Sequence, residues 1–499
     1  MIQTRSKPAV SVIFFELNEA ERHFLDKYVA QGLLPNFARA IEGGAIVRTR
    51  IPTWDAGQDK AWRKISPWII WPSVYTGLAP EDHGLIGFGQ DPTAIRGKCV
   101  WDVLDAAGIP VGVLGSLMSY PPRTSGAASF YVPESLADTS DCFPEAARPL
   151  QEFCVFAARN YSESFGRSAA TAVKLLLKTG KSGVRARTML RTLGQVPMEA
   201  MRGAALAPER AMLHSYMVRD AFVKLYAATR PAYASVHMNQ IAYMQHRYWR
   251  AAEPERFADS LSTTDRRFFQ SVTQRKGYEH KLSRWIERSF VYADRFLGEL
   301  LEIADPNTVV LVGTALGQRP FDPVTDIHNP VVRLVNEREL FDWIGLRDYV
   351  VLHQMNPDVT INFRDAAEAA DAERKLLGLY VEGHDALFTV QRRDHQVFCE
   401  LDMPRRARDG ESFVIRHRDR PDSSADFAHH IHEHGTADQS TAHHKDSGWL
   451  LAYQKGGRVR ATHDIVAVTD IAPTILSLFG LPPAPWMRAD AKAFLTLDR

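Results

Sequence analysis

The sequence contains little cysteine, and no two cysteines have the spacing of a metal or redox motif. Four cysteines occur in 499 residues, namely Cys99, Cys142, Cys154 and Cys399. So few cysteines cannot form a disulfide framework for a chain of this size. We therefore expect reduced thiols and a reducing compartment, and we predict a cytoplasmic location.

Long hydrophobic runs are also missing. The N-terminal apolar run holds only about seven residues, ends at Glu16 and Glu19, and lacks a small-residue cleavage site. No segment approaches the roughly 18 apolar residues that a membrane-spanning helix needs. We interpret the N-terminal run as a buried strand and expect neither a secretory signal nor a transmembrane helix.

The chain as a whole has no excess of charge of one sign. Sixty Lys and Arg residues oppose 59 Asp and Glu residues, which gives a formal net charge of +1 and no reason to expect nucleic acid as a partner. Residues 157–211 are a local exception, with ten basic and three acidic residues. We predict a basic helical insertion at 151–211, which is either a solvated surface or a patch for peripheral contact with anions or a membrane.

The sequence does contain an alternation of apolar runs and amphipathic segments. Continuous apolar runs such as AVSVIFF, PAYASVHM and TVVLVGT lie between amphipathic helical segments. Strands of a parallel sheet that is covered on both faces have this pattern. We predict a three-layer α/β/α sandwich with a mainly parallel sheet. Because ligands bind beyond the carboxyl ends of such strands, the residues that follow these runs are candidates for the site.

The alternation is interrupted twice, which predicts a core built from three parts of the chain. We assign residues 1–150, 212–344 and 429–499 to the core, 151–211 to the helical insertion and 345–428 to a small α+β cap. A histidine-rich segment follows the cap. It is either a metal-binding loop or a mobile, solvated loop.

Ser66 and Pro67 open an apolar segment that ends at Gly77. Serine is a favourable N-cap, proline suits the first helical position, and glycine suits a helix C-terminus, so we predict a helix here. The unpaired N–H groups at such a helix start favour an anion. Ser66 is therefore either a nucleophile at a helix start or a helix cap, and the local pattern favours the cap.

Several segments occur in an order that resembles the alkaline phosphatase superfamily, especially its type I phosphodiesterase/nucleotide pyrophosphatase branch. They are VIFFELNEAERHFLDKYVAQGLLPNFARAIEGGA, PSVYTGLAPEDHGLIGF, VWDVLDAAGIPVGVLGS, QHRYW and VTDIAPTILSLFGLP. Together they cover roughly residues 10–135, 215–320 and 440–490. The resemblance implies transfer of a phosphoryl or sulfuryl group to a Thr or Ser nucleophile between two metal ions, usually zinc.

The resemblance implies a first metal site whose ligands are missing here. Asn18 stands where the family has an Asp, and Thr314 and Ala315 stand where it has an Asp-His pair. We therefore expect this site to be lost. The family's nucleophile position falls on Pro67, one residue after Ser66.

The implied second metal site is better preserved. Ala242 stands where the family has an Asp, but His246 occupies the position of a histidine ligand. The distal histidine is best matched by His444, with His443 as the alternative, and Asn239 is a further polar candidate. We expect one divalent metal, most simply zinc, or none.

Two hypotheses of different classes follow. The first is a hydrolase or transferase that acts on a phosphate, sulfate or glycosyl-phosphate group of a small anionic molecule or glycan, with Glu16 as base and Ser66 as nucleophile. The expected substrate contacts are Asn18, Asn239, Thr314 and Gln318. The second is a non-catalytic relative that binds a phosphorylated glycan, a nucleotide or a protein.

Overall fold

The structure is a computed structural model. It describes residues 10–52, 65–85, 92–123, 127–137, 139–159, 165–202, 207–257, 282–320, 332–334, 336–352, 359–381, 386–401, 414–433, 441–488 and 492–498.

The elements alternate between strands and helices along much of the chain. The strands are β1 (Ser11–Leu17), β2 (Ala45–Arg50), β3 (Val111–Leu114), β4 (Ala128–Val132), β5 (Tyr233–Met238), β6 (Thr308–Thr314), β7 (Gly317–Pro320), β8 (Val332–Leu334), β9 (Val350–Leu352), β10 (Val359–Asn362), β11 (Leu379–Val381), β12 (Phe388–Arg393), β13 (Gln396–Leu401), β14 (Val414–His417), β15 (Arg420–Asp426), β16 (Ile431–Glu433), β17 (Ala442–Lys445), β18 (Ser447–Gln454), β19 (Arg458–Ala461), β20 (Ile465–Ala467) and β21 (Leu495–Asp498). The α-helices are α1 (Arg22–Ala30), α2 (Pro35–Glu42), α3 (Pro67–Thr76), α4 (Pro80–His83), α5 (Val100–Ala106), α6 (Arg148–Arg159), α7 (Phe165–Lys178), α8 (Ala186–Arg202), α9 (Ala207–Thr229), α10 (Gln240–Ala252), α11 (Trp285–Ile303), α12 (Glu337–Trp343), α13 (Ala366–Leu377), α14 (Phe427–His430) and α15 (Ile471–Leu478).

Eight strands form the central sheet, in the order β20-β2-β18-β6-β1-β5-β3-β4. β18 runs antiparallel to both of its neighbours, and the other adjacent pairs are parallel. Strands β1, β5 and β6 are buried along their whole length, which explains their continuous apolar sequences. The predicted mainly parallel sheet of an α/β fold is confirmed.

The two faces of the sheet belong to separate hydrophobic clusters. Along β1, Ile13 and Phe15 enter one cluster with helices α1, α2, α9, α10 and α11, whereas Val12 and Phe14 enter another with α3, α5 and α15. This alternation follows from the two-residue period of a strand. The sheet therefore lies between two helical layers, and β1 is one of its inner strands.

The remaining sheets are small and antiparallel. Strands β12-β13-β10-β9 and β11-β14-β15 form two of them around helix α13, with a hydrophobic cluster of their own. Helices α6, α7 and α8 occupy the region predicted as a helical insertion. The boundaries of the three predicted units stay a prediction.

Two features bear on the cellular setting. Within the described ranges, no helix combines the length and the apolar character needed to cross a bilayer. All four cysteines are free and buried. The cytoplasmic location stays a prediction.

Helix α3 begins and ends as the sequence predicts. Pro67 is its first residue, and Gly77 follows its last residue with φ of 68°, a left-handed conformation that glycine adopts without strain. Ser66 has the extended backbone of an N-cap, but its side chain makes no capping hydrogen bond. The predicted capping role of the Ser66 hydroxyl is therefore not realised.

A buried histidine ties helix α3 to the turn that follows it. His83 Nδ1 accepts the N–H of Leu85 at 3.1 Å, so Nε2 carries the proton and donates to the carbonyl of Ile69 at 3.0 Å. Ser73 Oγ lies 3.1 Å from the same Nε2. Burial lowers the pKa of His83 to about 3.

This histidine should make the protein sensitive to acid. Because the folded pKa of about 3 lies below the ordinary value of 6.5, the unfolded chain binds the proton more tightly between these values. The contribution of His83 is complete above pH 6.5 and is lost as the pH falls towards 3. The loss approaches about 1.4 kcal/mol per pH unit.

Denaturant unfolding across this pH range measures the effect. His83→Gln should be less stable than the parent at pH 7 and should lose less stability on acidification. The exposed His463 supplies the matched control His463→Gln, which should follow the parent curve. Parallel acid limbs for His83→Gln and the parent would contradict the prediction.

Candidate metal centre and active site

The site is built on the turn that follows the central strand β1. Glu19 in this turn has φ of 54°, a left-handed conformation that costs a non-glycine residue about 1–2 kcal/mol. Gln245 of helix α10 holds the turn at both ends. Its Nε2 donates to the carbonyl of Glu19 at 2.7 Å, and its Oε1 accepts the N–H of Glu21 at 3.0 Å. The structure thus fixes Glu19 in a conformation that it would rarely adopt alone.

Three side chains converge on one oxygen of the buried Glu19 carboxylate. His246 Nε2 lies 2.8 Å and His444 Nε2 lies 3.2 Å from Oε2. Gln318 Nε2 donates to the same oxygen at 2.5 Å. Glu19 is only 3% exposed, whereas the two imidazoles are 29% and 28% exposed. The rings therefore form the accessible face above a buried negative charge.

The other nitrogen of each imidazole is held by a backbone carbonyl. His246 Nδ1 lies 2.9 Å from the oxygen of Ala442, and His444 Nδ1 lies 2.6 Å from the oxygen of Ile65. A carbonyl only accepts hydrogen bonds, so each Nδ1 carries a proton. Each Nε2 then either carries a second proton or has a free lone pair. Both Nε2 atoms point at Glu19.

A short two-stranded sheet brings His444 to this position. β17 pairs with β7 so that His444 lies opposite Gln318 and His443 lies opposite Arg319. Because successive side chains of a strand point to opposite sides, only one of the two histidines can face Glu19. The structure selects His444 from the two histidines that the sequence left open.

The charges at the site shift the pKa values of its groups. Burial alone raises the pKa of Glu19, but the neighbouring His444 and His246 hold it well below its usual range. Burial acts to lower the pKa of His444, but the Glu19 carboxylate and the carbonyl of Ile65 raise it above its ordinary value. The carboxylate therefore stays ionised and creates a strong preference for positive charge between the rings.

The donor set of Glu19, His246 and His444 fits a divalent transition-metal ion such as zinc. One atom from each residue lies within 4.8 Å of the other two. Each imidazole would bind through Nε2 while its Nδ1–H donates to a carbonyl, which is the usual support for a histidine ligand. The two imidazoles, with ring centroids 5.1 Å apart, share this one carboxylate.

Polar residues at the carboxyl ends of β1 and β5 adjoin this cluster. Asn18 Nδ2 donates to Glu19 Oε1 at 3.1 Å and to Asn239 Oδ1 at 2.7 Å, and Trp71 Nε1 donates to Asn18 Oδ1 at 2.9 Å. Asn18 is buried, and Asn239 is exposed at the start of helix α10. Among these side chains, Asn239 is the one that a bound molecule can reach directly.

Ser66 is linked to the cluster by the backbone of the residue before it. It directly follows Ile65, whose carbonyl holds His444, and its own side chain is half-buried. The other hydroxyls of helix α3, those of Ser73, Tyr75 and Thr76, are fully buried. Ser66 is therefore the accessible hydroxyl of this helix start.

The structure corrects the predicted role of Glu16. This carboxylate is fully buried and accepts hydrogen bonds from Tyr75 at 2.8 Å, Ser116 at 3.0 Å and His237 Nδ1 at 3.1 Å. Burial and the Glu16 charge raise the pKa of Tyr75, which keeps the phenol protonated. Glu16 thus organises the interior below the site, and a substrate cannot reach it as a base.

Thr314 also has an internal role. Its side chain is 2% exposed and its hydroxyl donates to the carbonyl of Leu316 at 2.6 Å, so it does not contact a substrate as predicted. Ala315 is fully buried, and neither residue replaces the expected Asp-His pair. Ala242 contributes only its carbonyl, which accepts from Gln318 at 3.2 Å. Gln318 itself holds the Glu19 carboxylate, as a support for the site and not as an exposed contact.

A match to a protein-family model shows the family to which the chain belongs. Residues 23–464 match the model described as type I phosphodiesterase / nucleotide pyrophosphatase. The chain belongs to this family. It is therefore a type I phosphodiesterase-family protein of the alkaline phosphatase superfamily, and the resemblance noted in the sequence is confirmed.

Solved structures give similar but distant matches. A phosphonoacetate hydrolase from Sinorhizobium meliloti 1021 is 15% identical with a TM-score of 0.38. Human and murine ectonucleotide pyrophosphatase/phosphodiesterase 5 are each 11% identical, with TM-scores of 0.37 and 0.38. Each match covers 95% of this chain and 96% of the other. A search of curated protein sequences gives no match.

Glu19 is the residue of this phosphodiesterase-family site that the sequence interpretation missed. The superfamily pattern places the acidic ligand of the second site at Ala242, on a different element. Glu19 supplies a carboxylate from the turn after β1 instead. The available signal was a second acidic residue three positions after Glu16, directly beyond a buried strand.

Proposed function

We propose that this protein is a phosphoric-ester hydrolase or phosphoryl transferase with one divalent cation at Glu19, His246 and His444. Its substrate is an anionic small molecule or a glycan that carries a phosphate. The observation that supports this proposal is the convergence of two accessible imidazoles on one buried carboxylate, with the second nitrogen of each ring held by a carbonyl.

The charge of the site favours an anionic substrate. A bound divalent cation would supply Lewis-acid stabilisation of the negative charge that develops on phosphate oxygens. Glu19 neutralises only half of the charge of such an ion, and the histidine ligands are neutral. The remaining positive charge lies beside the partly exposed rings, where it attracts a phosphate group.

The protein's own residues position and shield the reacting groups. Asn18 and Gln318 hold the two oxygens of Glu19, so the carboxylate keeps a single orientation. The exposed Asn239 side chain is placed to donate an N–H to a substrate oxygen, because its Oδ1 already accepts from Asn18. Ser66, at the start of helix α3, is the proposed nucleophile.

A specific observation favours the second hypothesis, a protein that binds a phosphorylated ligand without turnover. The positions of the first family metal site are occupied by Thr314 and Ala315, which are buried and carry no ionisable group. One cation would then bind the ligand while nothing activates the attacking group. Turnover distinguishes this alternative from the first proposal.

The experiment combines metal analysis with assays on nitrophenyl esters. Protein purified without chelators should contain about one zinc or similar ion per chain, by elemental analysis. It should hydrolyse bis(4-nitrophenyl) phosphate or 4-nitrophenyl phosphate faster than 4-nitrophenyl sulfate, and chelation followed by zinc should remove and restore this activity. Metal and ligand binding without turnover of any ester would favour the binding protein, and a metal-free, inactive protein would overturn both.

A further inference from the structure

Helices α7 and α8 carry a basic surface that the proposed site does not use. Residues 165–198 contain seven Lys and Arg residues and no Asp or Glu. Lys174, Lys178, Lys181 and Arg187 have no ion-pair partner among the described residues. A third helix adds Lys224, whose Nζ contacts the carbonyl of Lys181. This surface is thus strongly positive in a chain whose net charge is close to zero.

The same surface exposes large aliphatic side chains. The exposed fractions are 37% for Val173, 60% for Leu177, 68% for Leu190 and 40% for Met198. They are four of the seven large hydrophobic residues that the described part of the chain exposes to this degree. Exposed apolar residues that cluster on one surface indicate a contact with another apolar phase.

The spacing on helix α7 puts the two kinds of residue side by side. Val173 and Leu177 are four residues apart on one face, and Lys174 and Lys178 are four residues apart on the adjacent face. Leu175, on the opposite side of the helix, packs against the core beside the buried Leu176. The outer half of α7 is therefore an apolar strip beside a basic strip.

Helix α8 continues this arrangement. Arg187 lies three residues before Leu190, so the two share a face of the helix. Met189 packs against the core and beside Gly180, which follows the end of α7. The two neighbouring helices thus both direct basic and aliphatic side chains away from the core.

We infer that this surface of α7 and α8 binds the interface of a bilayer that contains anionic lipids. Such an interface offers negative head groups for the lysines and an apolar layer for the aliphatic side chains, and long lysine side chains can reach the former while the latter insert. A nucleic acid would leave Leu177 and Leu190 without a partner. A symmetric dimer through this surface would place the same positive charges opposite each other.

The test is co-sedimentation of the full chain with lipid vesicles at low and high salt. The protein should bind vesicles that contain phosphatidylserine at least about tenfold more tightly than vesicles of phosphatidylcholine alone, and salt should weaken the binding. Lys174→Gln/Lys178→Gln should weaken it about 30-fold. Leu177→Ser/Leu190→Ser should weaken it at least about tenfold.

Matched variants control for nonspecific effects. Arg48→Gln/Lys455→Gln removes two exposed cations elsewhere, and Val350→Ser/Leu377→Ser removes two exposed aliphatic side chains on other elements. Both should bind as the parent does. Absence of binding, equal binding to both vesicle types, or parental binding by either α7/α8 variant would overturn the inference. So would a concentration-dependent dimer that the same substitutions dissociate, which would assign the surface to a second copy. The inference is independent of the proposed function, because no site residue is changed.

Discussion

Glu19→Gln is expected to weaken the binding of a divalent cation by about a thousandfold or more, which corresponds to roughly 4 kcal/mol. Glutamine keeps the size of the side chain but removes the negative charge of the three-residue ligand set. The two imidazoles alone would then have to hold the cation in a partly buried place. Elemental analysis and a zinc titration with a competing chelator measure the loss.

The control for this prediction is another buried carboxylate. Glu253 is 2% exposed, pairs with Lys27 and His23, and directly follows helix α10, which carries His246. Glu253→Gln should keep the parental affinity, measured on the folded fraction of each variant. His246→Ala/His444→Ala should lose the metal as Glu19→Gln does. Two zinc ions per chain in the parent, or parental affinity in Glu19→Gln, would show that the ligands are assigned wrongly.

Ser66→Ala is expected to lower turnover of the best phosphate ester by about a thousandfold or more, equivalent to roughly 4 kcal/mol of transition-state stabilisation. Since the Ser66 side chain makes no capping hydrogen bond, the substitution should cost less than the roughly 1 kcal/mol of a formed cap. A loss of activity with an unchanged melting temperature therefore separates chemistry from capping.

Two further substitutions at the same position test this interpretation. Ser66→Thr retains a hydroxyl and should keep measurable turnover, whereas Ser66→Asp is a good N-cap without a suitable nucleophile and should be inactive but stable. Metal content should be parental in all three variants. If Ser66→Ala keeps turnover within about tenfold of the parent, Ser66 is no nucleophile and water or another group attacks the ester.

The sheet and its covering helices could be predicted from local sequence because their cause is local. The mainly apolar residues of β1, β5 and β6 require burial on both faces, and only a covered sheet provides it. The limits of helix α3 were predictable for the same reason, since Pro67 and Gly77 restrict the backbone directly. The two histidines of the cluster, His246 and His444, were found through the order of the family segments.

The roles of the acidic residues could not be predicted in this way. Glu16 and Glu19 both follow the apolar run of β1, and the sequence interpretation chose Glu16 as the functional one. In the fold, Tyr75, Ser116 and His237 surround Glu16 from three other segments of the chain. The Glu16 carboxylate therefore has all its hydrogen bonds inside the protein. Glu19, the next acidic residue, is the one that contacts the partly exposed His246 and His444.

What the sequence alone determined is the α/β fold, the family, the absence of the family's first-site ligands at Asn18, Thr314 and Ala315, and the presence of a basic helical region. Each depends on residue type, spacing or segment order. Only the tertiary structure shows that the Glu19 carboxylate reaches His246 and His444, because a left-handed turn held by Gln245 places it there. The physical reason is that a ligand set is defined by convergence in space. Distant segments meet at one point only after the sheet has placed β1, α10 and β17 side by side.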